Sequence, residues 1–183
     1  VFTNLSRDHL DFHENFEQYL AAKLKLFKSN DKPSIINIDD SRADKICSEI
    51  EGEVISYGIE GESDFSADNI AVTAQGVKYD LLTADDRSEI KLNLTGQFNV
   101  YNSLAAIATV ASLDFSLADI KAGIEKISGV PGRFELVQEG QDYGVIVDYA
   151  HTPDGMENVL KTAHECSDRD VIVVFGCGGD RDR

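Results

Sequence analysis

The chain has 183 residues, 42% hydrophobic and 27% charged, with a formal net charge of −16, which is the composition of a soluble globular protein with room for one large domain or parts of two. That charge argues against nucleic-acid binding through a basic surface, and no apolar run approaches the roughly 18 to 20 residues of a membrane span. Cys47, Cys166 and Cys177 are widely spaced and odd in number; they match no metal spacing and no disulfide framework, which predicts a reducing, cytoplasmic setting.

The chain opens on Val1-Phe2-Thr3-Asn4 without a signal segment, and its single methionine is Met156; this predicts a piece of a longer protein. A polar loop, Asn4 to His13, precedes an amphipathic helix over Glu14–Phe27. Phe16, Leu20 and Phe27 fall on one stripe of that helix, with Lys23 in the middle of it and Lys25 on the opposite side. A lysine facing inward loses hydration, which favours its neutral, reactive amine. The alternative is a stem laid along apolar surface with its ammonium reaching water.

Pro33–Asp39 reads as a buried strand, Arg42–Ile50 as a short helix and Val54–Tyr57 as a second strand, an alternation that suggests a parallel, helix-covered sheet. Residues 64–94 switch to a two-residue period and predict three antiparallel strands around Ile70–Thr73, Val77–Leu81 and Ile90–Leu94, with turns at Gln75-Gly76 and Asp85-Asp86. Helices follow over Asn99–Leu113 and Leu117–Ile127, the second capped by Ser116. Gly129-Val130-Pro131-Gly132 reads as a linker, placing a domain boundary near residue 131. Beyond it, strands at Phe134–Val137 and Val145–Asp148, a helix over Pro153–Cys166 and an apolar strand Val171–Phe175 form a fresh α/β unit.

Five constellations could carry chemistry. Asn4–His13 packs carboxylates, the imidazoles of His9 and His13 and the Arg7 guanidinium into a few residues, suited to a divalent cation and an anionic oxygen, or simply to capping a helix. Asn99 and Asn102 share a face of a first helical turn and suit a purine edge, although Asn99 also suits an N-cap. Arg133 follows the linker, either at a site or as a solvated surface charge. Asp148–Asp154 lies where a strand ends and a helix opens with Pro153, the place at which α/β sheets bind ligands; the alternative is a helix capped by Thr152. Gly176–Arg183 is a glycine-rich loop that could wrap an anion. With so acidic a chain, an anionic ligand needs a metal, arginines or helix N-termini.

The order of these motifs is more telling than any one of them. Thr3-Asn4-Leu5-Ser6-Arg7-Asp8-His9-Leu10-Asp11-Phe12-His13, Ala21-Ala22-Lys23, Gly96 with Phe98-Asn99-Val100 and Asn102, Gly132-Arg133-Phe134-Glu135, Asp148-Tyr149-Ala150-His151-Thr152-Pro153-Asp154 and Gly176–Asp182 resemble the motif series of the Mur ligases nearly end to end, most weakly over residues 40–90. The last two blocks resemble the branch that adds the third residue of the peptidoglycan stem peptide.

The resemblance implies an α/β fold. Residues 1–131 would be the C-terminal part of the central ATP-binding domain, a mostly parallel nucleotide-binding sheet with a small antiparallel β subdomain. Residues 132–183 would begin a second, Rossmann-like domain. It implies a monomeric cytoplasmic ligase of cell-wall biosynthesis, acting on small molecules without nucleic acid or membrane. ATP activates a carboxylate of UDP-N-acetylmuramoyl-L-alanyl-D-glutamate as an acyl phosphate, and the amine of L-lysine or meso-diaminopimelate attacks it. Lys23 would be carbamylated by CO2 and, with His9, would hold Mg2+. Asn99 and Asn102 would approach adenine, Arg133 the phosphates or ribose, and Asp148, Tyr149 and His151 would reach ATP. Asn4, Ser6 and Arg7 would lie near the UDP-sugar-peptide.

The sequence departs from the family in having no Gly-x-x-x-x-Gly-Lys-Ser/Thr loop, which predicts that the 183 residues alone do not ligate. The family's UDP-binding N-terminal domain, its magnesium-sharing glutamate and its diamino-acid-selecting segment are also expected outside this sequence. Competing readings are a folylpolyglutamate-like or cyanophycin-type ligase, a metal-dependent hydrolase using His9, His13 and Lys23, and a module that binds adenine nucleotide without chemistry.

Overall fold

The computed structural model describes residues 1–6, 15–28, 32–167 and 169–176. Its centre is a mixed five-stranded sheet in the order β1 (Ser34–Asn37), β2 (Val54–Gly58), β3 (Phe65–Thr73), β4 (Gly76–Leu82), β5 (Arg87–Leu92). β1–β2 and β2–β3 are parallel, whereas β3–β4 and β4–β5 are antiparallel. The antiparallel strands expected as a small subdomain therefore continue the parallel sheet edge to edge. Tyr57 and Gly58 make that join, opposite Phe65 and Ser66.

β1 is buried along its whole length because both of its faces are covered. Successive side chains of a strand point to opposite faces. Ile35 accordingly joins a core with Val100, Leu104 and Ile107 of α3 (Gln97–Ala111), whereas Ile36 joins a second core with Leu20, Leu24 and Phe27 of α1 (Phe16–Lys28) and Ile46 of α2 (Ala43–Ser48). The antiparallel strands are covered on one face only. Val77, Tyr79 and Leu81 of β4 and Ile90 and Leu92 of β5 point into the α3 core, while Lys78, Glu89 and Lys91 pair in solvent.

Within α1 the buried residues are Leu20, Leu24 and Phe27. At about 100° per residue, Leu24 widens the apolar stripe on the side away from Lys23. Lys23 therefore stands at the flank of the stripe rather than in its middle, partly buried, with Nζ 4.8 Å from the centre of the Tyr19 ring.

α3 begins at Gln97 behind Gly96, whose φ of 92° and close approach to the Phe98 ring suit only glycine. Asn99 is thus inside the first turn and not the N-cap. α4 (Leu117–Ile124) is capped as expected, Ser116 Oγ accepting from Asp119 N. After the linker, β6 (Glu135–Val137) and β7 (Val145–Val147) form an antiparallel pair, and α5 (Pro153–Glu165) is capped by Thr152 with Pro153 in its first turn.

Val171–Phe175, expected as a strand, is not one: residues 171–176 carry no regular structure, and Ile172 and Val174 are 90% and 96% exposed. Such an apolar run suits a strand covered on both faces. Among the described residues no strand pairs with it.

Candidate functional site

Two clefts open beside the first turns of α3. The first, of about 350 Å3, is lined by Leu94, Phe98, Asn99 and Asn102 from the sheet–α3 side, by Val130 and Arg133 from the linker, and by Asp148, Tyr149, Ala150, His151, Thr152, Gly155, Asn158 and Val159 from the β7–α5 side. It gathers Asn99, Asn102, Arg133, Asp148, Tyr149 and His151, six residues drawn from three separate motifs.

Each is held by a specific contact. Asn99 Nδ2 donates to Thr95 O at 2.8 Å, and Asn102 Nδ2 donates to Asn99 Oδ1 at 3.2 Å. This chain of amides leaves Asn102 Oδ1 and its second N–H for a ligand. The Arg133 guanidinium lies over the Tyr149 ring at 4.9 Å, and the Tyr149 and His151 rings meet edge to face with centroids 4.9 Å apart. His151 Nδ1 is 3.0 Å from Tyr149 O.

Asp148 Oδ2 accepts from Phe134 N at 2.7 Å and Oδ1 from Ala150 N at 2.6 Å. The carboxylate therefore ties the linker to the loop that carries Tyr149 and His151. It also holds Phe134, a buried non-glycine residue at φ 45°, in the left-handed region.

The second cleft, of about 390 Å3, is polar. Thr3, Asn4, Leu5, Ser6, Asn37, Asp40 and Tyr57 form one wall, Gln97, Phe98, Tyr101 and Asn102 another, and Asp154, Asn158, Lys161, Thr162 and Glu165 of α5 the third. Burial first, and the nearby Asp39 carboxylate second, hold the phenols of Tyr57 and Tyr101 above their ordinary range, so both stay protonated O–H groups. Phe98, Asn102 and Asn158 line both clefts, which therefore share a wall.

Of the expected substrate residues, Asn4 and Ser6 reach this polar cleft, while Arg7 lies outside the described residues, as do His9, His13 and Cys177–Arg183. Lys23 lines neither cleft. Among the described residues no three His, Cys, Asp or Glu side chains converge as a metal site. The expected magnesium set therefore rests on residues outside them together with Lys23.

Sequence reasoning missed Asn158 and Lys161. The signal was present in the three- and four-residue spacing of Asp154, Asn158, Lys161 and Glu165, which places them along one face of α5.

The Mur ligase middle domain matches residues 1–110, and the Mur ligase glutamate ligase domain matches residues 132–183. The chain is 45% identical over 185 residues to the UDP-N-acetylmuramoyl-L-alanyl-D-glutamate–2,6-diaminopimelate ligase 1 of Clostridium acetobutylicum, covering 100% of this chain and 38% of that protein. It is 46% identical over 191 residues to the corresponding ligase of Listeria monocytogenes, covering 100% of this chain and 39% of that one.

A solved UDP-N-acetylmuramoyl-L-alanyl-D-glutamate–2,6-diaminopimelate ligase superposes with a TM-score of 0.78 at 33% identity, over 98% of this chain and 38% of its own. MurF from Acinetobacter baumannii superposes with a TM-score of 0.83 at 25% identity, over 90% of this chain and 37% of its own. The chain thus spans about two fifths of the length of the relatives it matches. With middle-domain sequence over residues 1–110, ligase-domain sequence from residue 132 and the same backbone arrangement, the chain belongs to the Mur ligase family.

Proposed function

We propose that this chain is the portion of an ATP-dependent amide ligase in which the nucleotide and the acyl substrate meet, residues 1–131 belonging to the central domain and 132–183 opening the C-terminal domain. The substrates are UDP-N-acetylmuramoyl-L-alanyl-D-glutamate and a diamino acid. The names of the 45–46% identical relatives favour 2,6-diaminopimelate over L-lysine. The protein acts as a monomer in the cytoplasm; among the described residues no helix is long and apolar enough to cross a membrane.

The observation that carries this reading is the wall of Phe98, Asn102 and Asn158 common to the two clefts. A nucleotide in the first cleft lies beside a carboxylate in the second, the juxtaposition that phosphoryl transfer between them requires. Asn99 and Asn102 take the adenine edge, and Arg133 takes ribose or phosphate from its seat on Tyr149. Asp148 and His151 complete the nucleotide side. The N-terminus of α5, behind Thr152 and Pro153, adds donors suited to phosphate.

Asn4, Ser6 and Arg7 bind the muramoyl dipeptide. ATP, as co-substrate, supplies the phosphoryl group that turns the substrate carboxylate into an acyl phosphate. The diamino acid's amine then attacks the acyl carbon, and phosphate leaves. His9 and a carbamate formed from CO2 on Lys23 would hold Mg2+, which would neutralise charge on the transferred phosphoryl group. Carbamylation makes the Lys23 terminus an oxygen donor of the kind magnesium prefers.

The test is product formation by the full-length protein given ATP, UDP-N-acetylmuramoyl-L-alanyl-D-glutamate and 2,6-diaminopimelate. The expected result is one phosphate released per tripeptide product identified by mass, and no product from the 183 residues alone. ATP hydrolysis that ignores the muramoyl substrate, or product from the isolated chain, overturns the respective claim.

A further inference from the structure

We infer that Asp40 and Arg42 are positioning residues that set the Asn4–Ser6 wall of the polar cleft. Phe2 pairs with β1 through main-chain bonds, its N–H donating to Ile35 O at 2.8 Å and its carbonyl accepting from Asn37 N at 3.0 Å. Beyond Phe2 the grip passes to side chains. Asn37 Nδ2 donates to Thr3 O at 2.8 Å. Leu5 is then held at both ends of its backbone, its N–H donating to Asp40 Oδ2 at 2.9 Å and its carbonyl accepting from an Arg42 Nη at 3.1 Å.

The clamp is itself braced. Asp40 Oδ1 accepts from Arg42 N at 2.9 Å, and the Asp40 side chain is 8% exposed. The Arg42 guanidinium also lies 5.1 Å over the ring of Phe16, the first residue of α1. One guanidinium therefore touches the chain both before and after residues 7–14. Leu5 packs into the α1 core and is 4% exposed, and it lines the cleft together with its neighbours Asn4 and Ser6. Fixing both peptide groups of Leu5 fixes the directions in which Asn4 and Ser6 present their polar atoms.

This rests on the reading of that cleft as the muramoyl-dipeptide site. In the full-length protein, Arg42→Lys keeps the charge but loses the planar fork that reaches Leu5 O while covering Phe16. Asp40→Asn keeps one acceptor and loses the other. Both variants are expected to raise KM for the muramoyl dipeptide about tenfold, the order expected from loss of one charge-assisted hydrogen bond. KM for ATP is expected to stay within about twofold, and amide hydrogen exchange at residues 3–6 to accelerate.

A fall in melting temperature with both KM values unchanged, or an equal rise in both, overturns the inference. So does wild-type exchange at residues 3–6 in Arg42→Lys. If the wild-type protein makes no product, the functional reading fails instead, and the exchange measurement still decides whether the clamp exists.

Discussion

Tyr101 on α3 donates its phenolic hydrogen to Asp39 Oδ2 at 2.9 Å, just past the carboxyl end of β1. The same oxygen accepts from Ile59 N at 2.6 Å and Glu60 N at 3.2 Å. One carboxylate thus joins the end of β1, the turn after β2 and the Tyr101 wall of the polar cleft. The backbone of Gly58 lies against it, so that a Cβ there would sit 2.7 Å from Asp39 Oδ1 and 2.9 Å from Oδ2.

Gly58→Ala must displace that carboxylate from its three donors. Overpacking of this kind costs about 1–3 kcal/mol, and Tyr101→Phe, which removes one donor and adds no bulk, costs about 1 kcal/mol. Urea denaturation of both variants should rank them in that order. Equal stabilities would show that Asp39 moves aside freely.

Tyr79 makes stability depend on alkaline pH. Its side chain is 1% exposed and its hydroxyl lies 2.7 Å from Ser103 Oγ. Burial pushes the phenol up to about 12, partly offset by the Ser103 hydrogen bond. The folded state therefore keeps a proton that the unfolded chain gives up near its ordinary value of 10. This contribution is complete below pH 10 and is lost between 10 and 12 at about 1.4 kcal/mol per pH unit. Tyr57 and Tyr101, also held above the ordinary phenol range, act with the same sign. Melting temperature should fall above pH 10, and Tyr79→Phe should flatten part of the fall. A variant with the wild-type slope would remove Tyr79 as a cause.

The motif residues were legible because chemistry-bearing residues sit in short runs at element ends. Asn99 and Asn102, Arg133, and Asp148, Tyr149 and His151 come from three such runs and meet in one cleft. Periodicity within α1 was less sufficient: at about 100° per residue Phe16, Leu20 and Phe27 span about 40° with Lys23 about 20° off one edge, and Leu24 extends the stripe at the other edge. Local propensity also made Asn99 an N-cap, although Gly96 holds that position. Edge-to-edge continuity of β2 with β3 has no periodic signature, resting on the single join at Tyr57 and Gly58. The Asp40–Arg42 grip on Leu5 was invisible for a similar reason: its partners are 35 and 37 residues apart.

The two asparagines of α3 should separate on mutation. Asn99 is buried and its Nδ2 is committed to Thr95 O, so Asn99→Ala leaves a carbonyl without its partner and costs stability of about 1–2 kcal/mol. Asn102 is more open, and its remaining polar capacity faces the cleft. Asn102→Ala should leave the melting temperature within a degree or two, as a surface substitution does, while weakening ATP binding about tenfold. Calorimetric titration with ATP beside thermal denaturation distinguishes them, and the reverse pattern would assign the adenine edge to Asn99 alone.

Lys23 offers a direct chemical test. With Nζ over the Tyr19 ring, its ammonium has a neutral aromatic neighbour at 4.8 Å. If it becomes a carbamate in the full-length enzyme, protein equilibrated with 13C-labelled CO2 and magnesium should show a carbamate carbonyl resonance that Lys23→Ala abolishes. A resonance that survives the substitution, or none in the wild type, rejects the assignment.

The Arg133–Tyr149 pair should behave as one unit in nucleotide binding. Arg133 follows Gly132, at φ 69°, and precedes Phe134, at φ 45°, so the backbone on both sides is in the left-handed region. Glu135 accepts from Gly132 N at 2.7 Å, and Asp148 accepts from Phe134 N at 2.7 Å. These bonds orient the Arg133 backbone, and the Tyr149 face at 4.9 Å then restricts its long side chain. A cation held over an aromatic face is worth about 0.5–1 kcal/mol at an exposed site, so Tyr149→Leu should weaken ATP binding about two- to fivefold while Tyr149→Phe changes it little. Arg133→Met should weaken it more, through loss of the charge itself. Once Arg133 is gone, Tyr149→Leu should add little, because its effect passes through the guanidinium. A double-mutant cycle read with a fluorescent ATP analogue in the full-length protein measures this coupling. Full additivity would mean that Tyr149 touches the nucleotide on its own account and does not merely seat Arg133.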